Sequence, residues 1–401
     1  MKTLTFSRDA SIFSPNNSLV ILLCLCWGNE MVRYFRAVLL HIPGLSDIAP
    51  ATEQLLYTLF TLLSISEIVK RIKAFDLIFV ASIYIVYLFT YLLFPENTDG
   101  LDEYAPRFLS AVIPCYFIGR VMDINEVKPL FYKVSVISIA LSAVYHLFIF
   151  QASRGAMDVG SENMASSYGV LPHVLFVVWM ALEKPNIIDI LLSLFGFFFI
   201  VSFGTRGPVI CIILFIALYL IFVRKYKDKI LATTIIVILA LVIVFYINEL
   251  MLLASNAISA LGMSTRILDF IMDDVALESQ GRDELNVIAF RQIRESNGSG
   301  YGIAAMSRWT DTYPHNLAIQ LWLEFGVIIG SVLLLALCWL LIRAYFKTKD
   351  YTERCFFIIL FLLGFLHLFL SHTYLTVPHF FMLIGYAIIL IDKNKKKIIK
   401  L

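Results

Sequence analysis

Apolar windows long enough to cross a bilayer recur along the whole sequence. A membrane-spanning helix needs about 20 predominantly apolar residues, and about twelve windows approach that length. Hydrophobic residues make up 60% of the 401 residues, charged residues make up 15%, and the mean hydropathy is +0.82. Because a water-soluble domain does not need so much apolar surface, we predict an all-α integral membrane protein, a single polytopic domain over residues 1–401. The windows are centred near Leu25, Leu59, Ile83, Ile113, Ile139, Val174, Phe197, Phe215, Val237, Val327, Leu363 and Ile384.

The connections between the windows alternate in charge. One set is basic: Lys70, Arg71 and Lys73 follow the second window, and the chain ends in DKNKKKIIKL. The other set includes PGLSDIAP, PENTDGLDEY and SHTYLTVPH, which contain no lysine or arginine. Because basic loops remain on the cytoplasmic side of a membrane, the pattern predicts a multi-pass protein with both termini in the cytoplasm.

One long loop, about residues 249–313, is predicted outside the cytoplasm, between the ninth and tenth spans. All its basic residues are arginines, which suit bidentate capture of phosphate oxygens. A short helix is predicted over 283–295, where apolar residues share one face and Arg291 is spaced for an ion pair with Glu295. The segment NGSGYG that follows predicts a flexible turn.

Arg206 lies in the stretch SFGTRGPVICIILF, between two apolar windows. A charge in this position costs several kcal/mol unless water, a partner or a ligand receives it. One interpretation is an interfacial arginine whose side chain extends towards water. The alternative is an anion receptor, because the adjacent glycines and Pro208 place the guanidinium at the N-terminus of the next helix.

A second polar cluster, YPHN, stands where the long loop returns to the membrane. His315 is either a structural histidine or a base, since a histidine near its ordinary pKa can accept a proton from a hydroxyl nucleophile. Asn316 has the chemistry to orient a sugar. Glu324 lies nine residues after His315. Its role is either that of a polar partner within the membrane or that of a solubilising residue. Arg282 is either a solvated loop residue or a second anion contact.

The other histidines and the cysteines suggest no additional site. His367 lies in or near a span and is not expected to cluster with other histidines, and His372 and His379 flank an outer turn. The six cysteines lack the spacing of a zinc site, so we expect neither a metal nor another cofactor. Nucleotide-binding and serine–histidine hydrolase motifs are also missing from the sequence, and no nucleic-acid partner is expected.

Four short motifs follow one another on the predicted outer side. They are Gly204-Thr205-Arg206-Gly207, Gly281-Arg282, Gly300-Tyr301-Gly302, and His315-Asn316 continuing through Leu323-Glu324-Phe325-Gly326 to Gly330. In this order they resemble the superfamily of bacterial O-antigen polymerases and O-antigen ligases. The motif-bearing resemblance covers about residues 187–345, and the first half of the chain is similar in hydropathy alone.

The resemblance implies a metal-independent glycosyltransferase of the GT-C kind in a bacterial inner membrane, with its active site facing the periplasm or the outside. Its donor and acceptor would be glycans linked to undecaprenyl pyrophosphate, with membrane lipids and a chain-length regulator protein as further partners. Arg206 and Arg282 would hold the pyrophosphate, and His315 would deprotonate or orient the acceptor hydroxyl. The candidate substrate-binding residues are Arg291, Tyr313, Asn316 and Glu324.

Three functions remain open within this interpretation. The spacing of fifteen residues between Arg282 and Gly298 resembles a polymerase pattern and favours a polymerase. A ligase, which would transfer the finished glycan to lipid A core or another acceptor, is the alternative. A flippase for the same lipid-linked glycans is disfavoured because the polar residues concentrate on one side of the predicted membrane.

Overall fold

A computed structural model describes residues 29–40, 48–145, 159–202, 205–223, 282–310 and 312–398, together with isolated positions before residue 46 and at 256. Arg206 and Arg282 are described in their backbone, whereas their side chains lie outside the described part. The predicted span centred on Val237 and most of the predicted 249–313 loop also lie outside it.

The described elements are all helical, as predicted. The first part of the chain forms α1 (Asn29–Leu40), α2 (Ala49–Arg71), α3 (Ala74–Leu93), α4 (Thr98–Arg107), α5 (Cys115–Val121), α6 (Ile124–Val144), α7 (Val159–Glu183), α8 (Ile187–Ser202) and α9 (Arg206–Leu218). The second part forms α10 (Arg282–Glu295), α11 (Leu317–Phe325), α12 (Val327–Lys347), α13 (Tyr351–Phe361), α14 (His367–Leu370) and α15 (Pro378–Ile398). Short 3₁₀ turns occupy Pro95–Asn97 and Ala305–Arg308, and π-helical turns occupy Phe108–Val112, Tyr219–Val223 and Leu362–Leu366.

Several of these helices have the length and composition of membrane spans. Five described segments are long and apolar enough to cross a bilayer: Ala74–Leu93, Ile124–Val144, Ser166–Glu183, Val327–Lys347 and Tyr351–Leu370. Two shorter apolar segments cover Ile187–Val201 and Gly207–Val223. The expectation of a helical membrane protein is confirmed, and the count of about twelve spans stays a prediction.

The lipid-facing surface is visible in the burial pattern. On α12, large apolar side chains such as Ile328, Leu335 and Phe346 are exposed, and the described residues provide no protein cover for them. By contrast, α7 is largely buried, with Trp179 and Phe176 fully enclosed. Because a helix with an exposed apolar surface is stable in hydrocarbon rather than in water, α12 lies at the periphery of the bundle and α7 at its centre.

Close contact between α5 and α15 depends on glycine. A Cβ atom on Gly119 would lie 2.1 Å from the carbonyl oxygen of Met382, and one on Gly385 would lie 2.1 Å from the carbonyl oxygen of Tyr116. Small residues let the backbones of membrane helices approach closely, and the packing between them replaces the hydrophobic driving force that is weak in lipid. The two glycines therefore fix the distance between these helices.

The predicted basic connections contact one another. Lys73, after α2, forms an ion pair of 2.5 Å with Asp392 near the end of α15. Lys128, at the start of α6, forms another of 2.5 Å with Glu183 at the end of α7. The predicted outer connections contact one another in the same way, as described below, so the two predicted sets are separate in the fold. Which set faces the cytoplasm stays a prediction.

Candidate functional site

The helix that begins after the His315-Asn316 motif is short. The Oδ1 atom of Asn316 accepts hydrogen bonds from the N–H groups of Ala318 (3.0 Å) and Ile319 (3.3 Å), so this residue is the N-cap of α11. Gly326, with φ +81° and ψ 162°, then separates α11 from α12. The sequence places one apolar window across this region, centred near Val327, whereas the described helix that is long and apolar enough to cross a membrane begins at Val327, after the break.

The glycine-rich turn after α10 docks onto this break. The N–H of Tyr301 donates to the carbonyl oxygen of Leu323 (2.9 Å), and the N–H of Val327 donates to the carbonyl oxygen of Gly298 (2.9 Å). At Gly300, with φ +85°, a Cβ atom would lie 2.4 Å from a backbone nitrogen of the break. The turn predicted to be flexible is therefore held by main-chain hydrogen bonds. Its glycines are required by positive φ and by the close approach of two backbones.

The predicted helix before this turn is confirmed and begins one residue earlier than expected. Ala289 and Ile293 are buried and form a small apolar cluster with residues of α11, including Leu323. Arg291 is exposed on α10, and among the described residues no ion pair joins it to Glu295. The helix thus positions the glycine-rich turn, and its apolar face explains the pattern in the sequence.

Glu324 is buried among the predicted outer connections, with 4% of its surface exposed. Its carboxylate accepts hydrogen bonds from the Tyr374 hydroxyl (2.6 Å), the Gln320 side-chain amide (3.0 Å) and the N–H of Ala304 (3.1 Å). Gln320 also donates to the Thr373 hydroxyl at 2.7 Å. Burial raises the pKa of Glu324 to about 7, although the three hydrogen bonds oppose this effect. The carboxylate therefore joins three parts of the chain: α11, the segment around Ala304 that follows the glycine-rich turn, and the connection between α14 and α15 that contains Tyr374.

Asn97, in the predicted outer segment PENTDGLDEY, holds the glycine-rich turn from its other side. It is fully buried, and its Nδ2 donates to the carbonyl oxygens of Tyr301 and Ile303, each at 2.8 Å. Arg308 donates through Nε to Oδ1 of Asn97 and through Nη2 to the carbonyl oxygen of Tyr301 at 3.1 Å. Arg308 also lies 3.4 Å from the carboxylate of Glu96. One arginine of the long loop is thus used to fix the turn.

His315 lies beside a cluster of aromatic and imidazole rings from three parts of the chain. The Tyr313 and His315 ring centroids are 4.6 Å apart, and the Tyr313 hydroxyl lies 3.0 Å from Nδ1 of His372. The His372 ring is 4.8 Å from that of His367 and 5.1 Å from that of Tyr168, and the last two stack at 3.8 Å. The expectation that His367 lies apart from other histidines is therefore wrong.

The same cluster reaches the Gly204–Gly207 motif. As predicted, a helix begins here: α9 starts at Arg206, with Thr205 in an extended conformation before it. The Thr205 hydroxyl donates to Ser167 of α7, and a Cβ atom on Gly207 would lie 1.8 Å from the Tyr168 hydroxyl. The backbone of this motif and the His315-Asn316 motif are therefore connected by Tyr168, His372 and Tyr313.

Part of the chain is similar to a known protein family. Residues 191–335 match the O-antigen ligase family model. The match confirms the resemblance to the O-antigen polymerase and ligase superfamily, a group of membrane glycosyltransferase- and ligase-type enzymes, and it includes the four motifs. No curated protein and no solved structure shows a significant match to the chain.

An apolar groove opens between α3, α11, α12 and α15, and part of its lining belongs to the residues that match the family model. Its volume is about 410 Å³. Phe79 and Leu337 are on its walls, and Leu321, Phe325 and Tyr374 line its end near Glu324. Because it is almost entirely apolar, it suits a hydrocarbon chain.

Sequence reasoning missed several residues that build this site. Tyr168, His367 and His372 lie outside the matched O-antigen ligase segment, and Asn97 and Gln320 had not been selected either. One sequence feature could have identified Asn97 and His372. Both occur in predicted outer connections that contain no lysine or arginine. Asn316 had a clearer signal, since an asparagine directly before an apolar run is a helix N-cap.

Proposed function

We propose that the protein polymerises oligosaccharide repeat units linked to undecaprenyl pyrophosphate, at the outer face of a bacterial inner or plasma membrane. The observation that carries the proposal is the connection between the start of α9 at Arg206 and the His315-Asn316 motif through Tyr168, His372 and Tyr313. Two motifs separated by about a hundred residues then contribute to one site. The family match supports a polymerase or ligase reaction there.

In the proposed reaction, an acceptor sugar hydroxyl attacks the anomeric carbon of the donor glycan. A new glycosidic C–O bond forms, and the bond from the anomeric carbon to the pyrophosphate oxygen breaks. The hydroxyl proton passes to the imidazole of His315, and undecaprenyl pyrophosphate departs with the bonding electron pair. No nucleotide is consumed, because the donor is already activated by its pyrophosphate.

Arg206 and Arg282 are proposed to receive the charge of the leaving group. Each is the first residue of a helix, α9 and α10 respectively, where free backbone N–H groups and the helix dipole favour anions. Guanidinium groups pair with phosphate oxygens in a bidentate manner, and such preorganised charges stabilise a transition state as negative charge develops. A metal ion is not required in this mechanism.

The apolar groove supports a lipid-linked substrate. Its end at Leu321 and Tyr374 adjoins the Glu324 network, and half of its lining side chains come from α3 and α12. A polyprenyl chain in this groove would keep the attached pyrophosphate at the level of the outer connections.

The test is glycan profiling by gel in a strain from which the gene is deleted, complemented at matched expression. Wild type is compared with Arg206→Ala, Arg282→Ala and His315→Gln, and Arg206→Lys tests the bidentate contact. Arg294→Ala is the matched control, because this exposed arginine of α10 lies outside the proposed site. A ladder restored by wild type and Arg294→Ala, with single repeat units in the other variants, supports the polymerase.

The alternatives give different profiles. If the deletion strain makes long chains that stay on the carrier lipid, the protein is a ligase. If it retains single lipid-linked units on the cytoplasmic face, the protein is a flippase. A full ladder in all three site variants would exclude the assigned residue roles.

A further inference from the structure

The last outer connection, between α14 and α15, contains a residue in an unusual backbone conformation. His372 has φ +62°, in the left-handed region that is costly for residues with a Cβ atom. Such a conformation is strained and persists when surrounding contacts determine it. The connection lies outside the segment that matches the family model, and His372 takes part in none of the reaction steps proposed above.

The contacts of the His372 imidazole point towards the proposed base. Nδ1 lies 3.0 Å from the Tyr313 hydroxyl, and the Tyr313 ring lies 4.6 Å from the His315 ring. Tyr313 thus stands between two histidines, hydrogen-bonded to one and in ring contact with the other. The Tyr313 ring is therefore one of the surfaces against which the His315 ring packs.

The other face of the imidazole is also fixed. Its ring is 5.1 Å from Tyr168 and 4.8 Å from His367, and these two rings are stacked on each other. Tyr168 in turn contacts Gly207, next to Arg206. His372 is consequently held by α7 and α14 on one side and by the His315 motif on the other.

We propose that His372 is a positioning residue for the transfer reaction. By its hydrogen bond to Tyr313 it fixes the ring against which His315 packs, and it thereby sets the His315 imidazole in the place where it receives the acceptor proton. Its left-handed backbone directs the imidazole into this cluster. The inference rests on the proposed function, because it assigns His372 a role in the same reaction.

The test uses three variants that separate the backbone from the side chain. His372→Gly retains the left-handed conformation at no steric cost but removes the imidazole. His372→Asn also tolerates positive φ and restores a hydrogen-bonding atom close to the position of Nδ1. Tyr313→Phe removes the hydroxyl and keeps the ring. Thr376→Ala, in the same connection, is the matched control, since its hydroxyl bonds to the Thr373 carbonyl oxygen and does not join the cluster.

The rates are measured with purified full-length protein added to membranes of the deletion strain, which contain that strain's own lipid-linked glycan. We expect His372→Gly and Tyr313→Phe each to lower the maximal rate about 10–100-fold, as for a catalytic group misplaced by about 1 Å, with an unchanged half-saturating glycan concentration. The double variant should be no slower than either single variant, because both remove the same interaction. His372→Asn should restore most of the rate lost in His372→Gly.

Three outcomes would overturn the proposal: a wild-type rate for His372→Gly, additive effects in the double variant, or a change confined to the half-saturating concentration. Thermal unfolding of each variant identifies losses that come from misfolding. The His315→Gln variant distinguishes failure of the positioning role of His372 from failure of the proposed role of His315. If His315→Gln is inactive while His372→Gly and Tyr313→Phe are fully active, the positioning role fails alone. If His315→Gln is fully active, the proposed role of His315 as base fails, and the positioning role of His372 fails with it; the polymerase function itself is tested by the glycan profile of the deletion strain.

Discussion

The buried carboxylate of Glu324 should make the stability of the protein depend on pH. Its pKa rises from an ordinary value of 4.5 to about 7 because burial disfavours the charged form. The folded protein therefore binds this proton more tightly than the unfolded chain, so the stabilising contribution is fully present below about pH 4.5. It is lost as the pH rises through about 7. One pKa unit corresponds to about 1.4 kcal/mol, and the loss amounts to about 3 kcal/mol.

Glu324→Gln isolates this contribution. The glutamine oxygen can accept the hydrogen bonds from Ala304 and Gln320, and its amide can donate to the Tyr374 oxygen, so the network is conserved while the charge is removed. We expect the unfolding midpoints of wild type and variant to be similar at pH 5 and to separate at pH 8, where the variant is more stable. The measurement is thermal unfolding of the purified protein in detergent at pH 5, 6, 7 and 8.

A second substitution controls for the hydrogen bonds. Glu324→Ala removes the hydrogen-bond acceptor for Tyr374 and Ala304. A buried donor that has no acceptor lowers the free energy of unfolding by about 1–3 kcal/mol. It should therefore destabilise the protein at every pH. Parallel pH profiles for wild type and Glu324→Gln would refute the reasoning, because they would mean that Glu324 titrates alike in the folded and unfolded chains.

Two further predictions concern the frame around the site. Gly385→Ala should lower the unfolding midpoint, because its methyl group would lie 2.1 Å from the Tyr116 carbonyl oxygen and overpacking costs about 1–3 kcal/mol; an unchanged midpoint would show that α5 and α15 separate without cost. Asn97→Ala should cost about 2–4 kcal/mol, because it removes the hydrogen bonds that fix the glycine-rich turn. Thr98→Ala is its control, since that hydroxyl bonds locally to the Pro95 carbonyl oxygen; equal losses in both variants would contradict the role of Asn97.

Local features of the fold could be predicted from the sequence. The apolar windows identified the regions of the long helices, and the spacing of apolar residues identified α10 to within one residue at its start. The glycines around Arg206 indicated that a helix begins there. These features depend on composition and on residues a few positions apart, and both can be seen directly in the sequence.

The features that could not be predicted arise from contacts between distant residues. The apolar pattern runs through Gly326 without interruption, yet the helix breaks there. The break is stabilised by a turn about 25 residues earlier, in which the Gly298 carbonyl oxygen accepts a hydrogen bond from the N–H of Val327. The cluster of Tyr168, His367 and His372 joins two regions about 200 residues apart. Nothing in the spacing of these residues indicates that their side chains meet.

The main-chain hydrogen bonds between the glycine-rich turn and the α11–α12 break have a consequence for sequence divergence. They use backbone N–H and carbonyl groups, and every residue except proline provides both. Substitution is therefore restricted at Gly300 and Gly326, where a Cβ atom would meet backbone, and far less at Ser299, which is exposed. Related sequences can therefore diverge at such exposed positions, and thereby alter the surface of the turn, while the backbone frame around the candidate site stays the same.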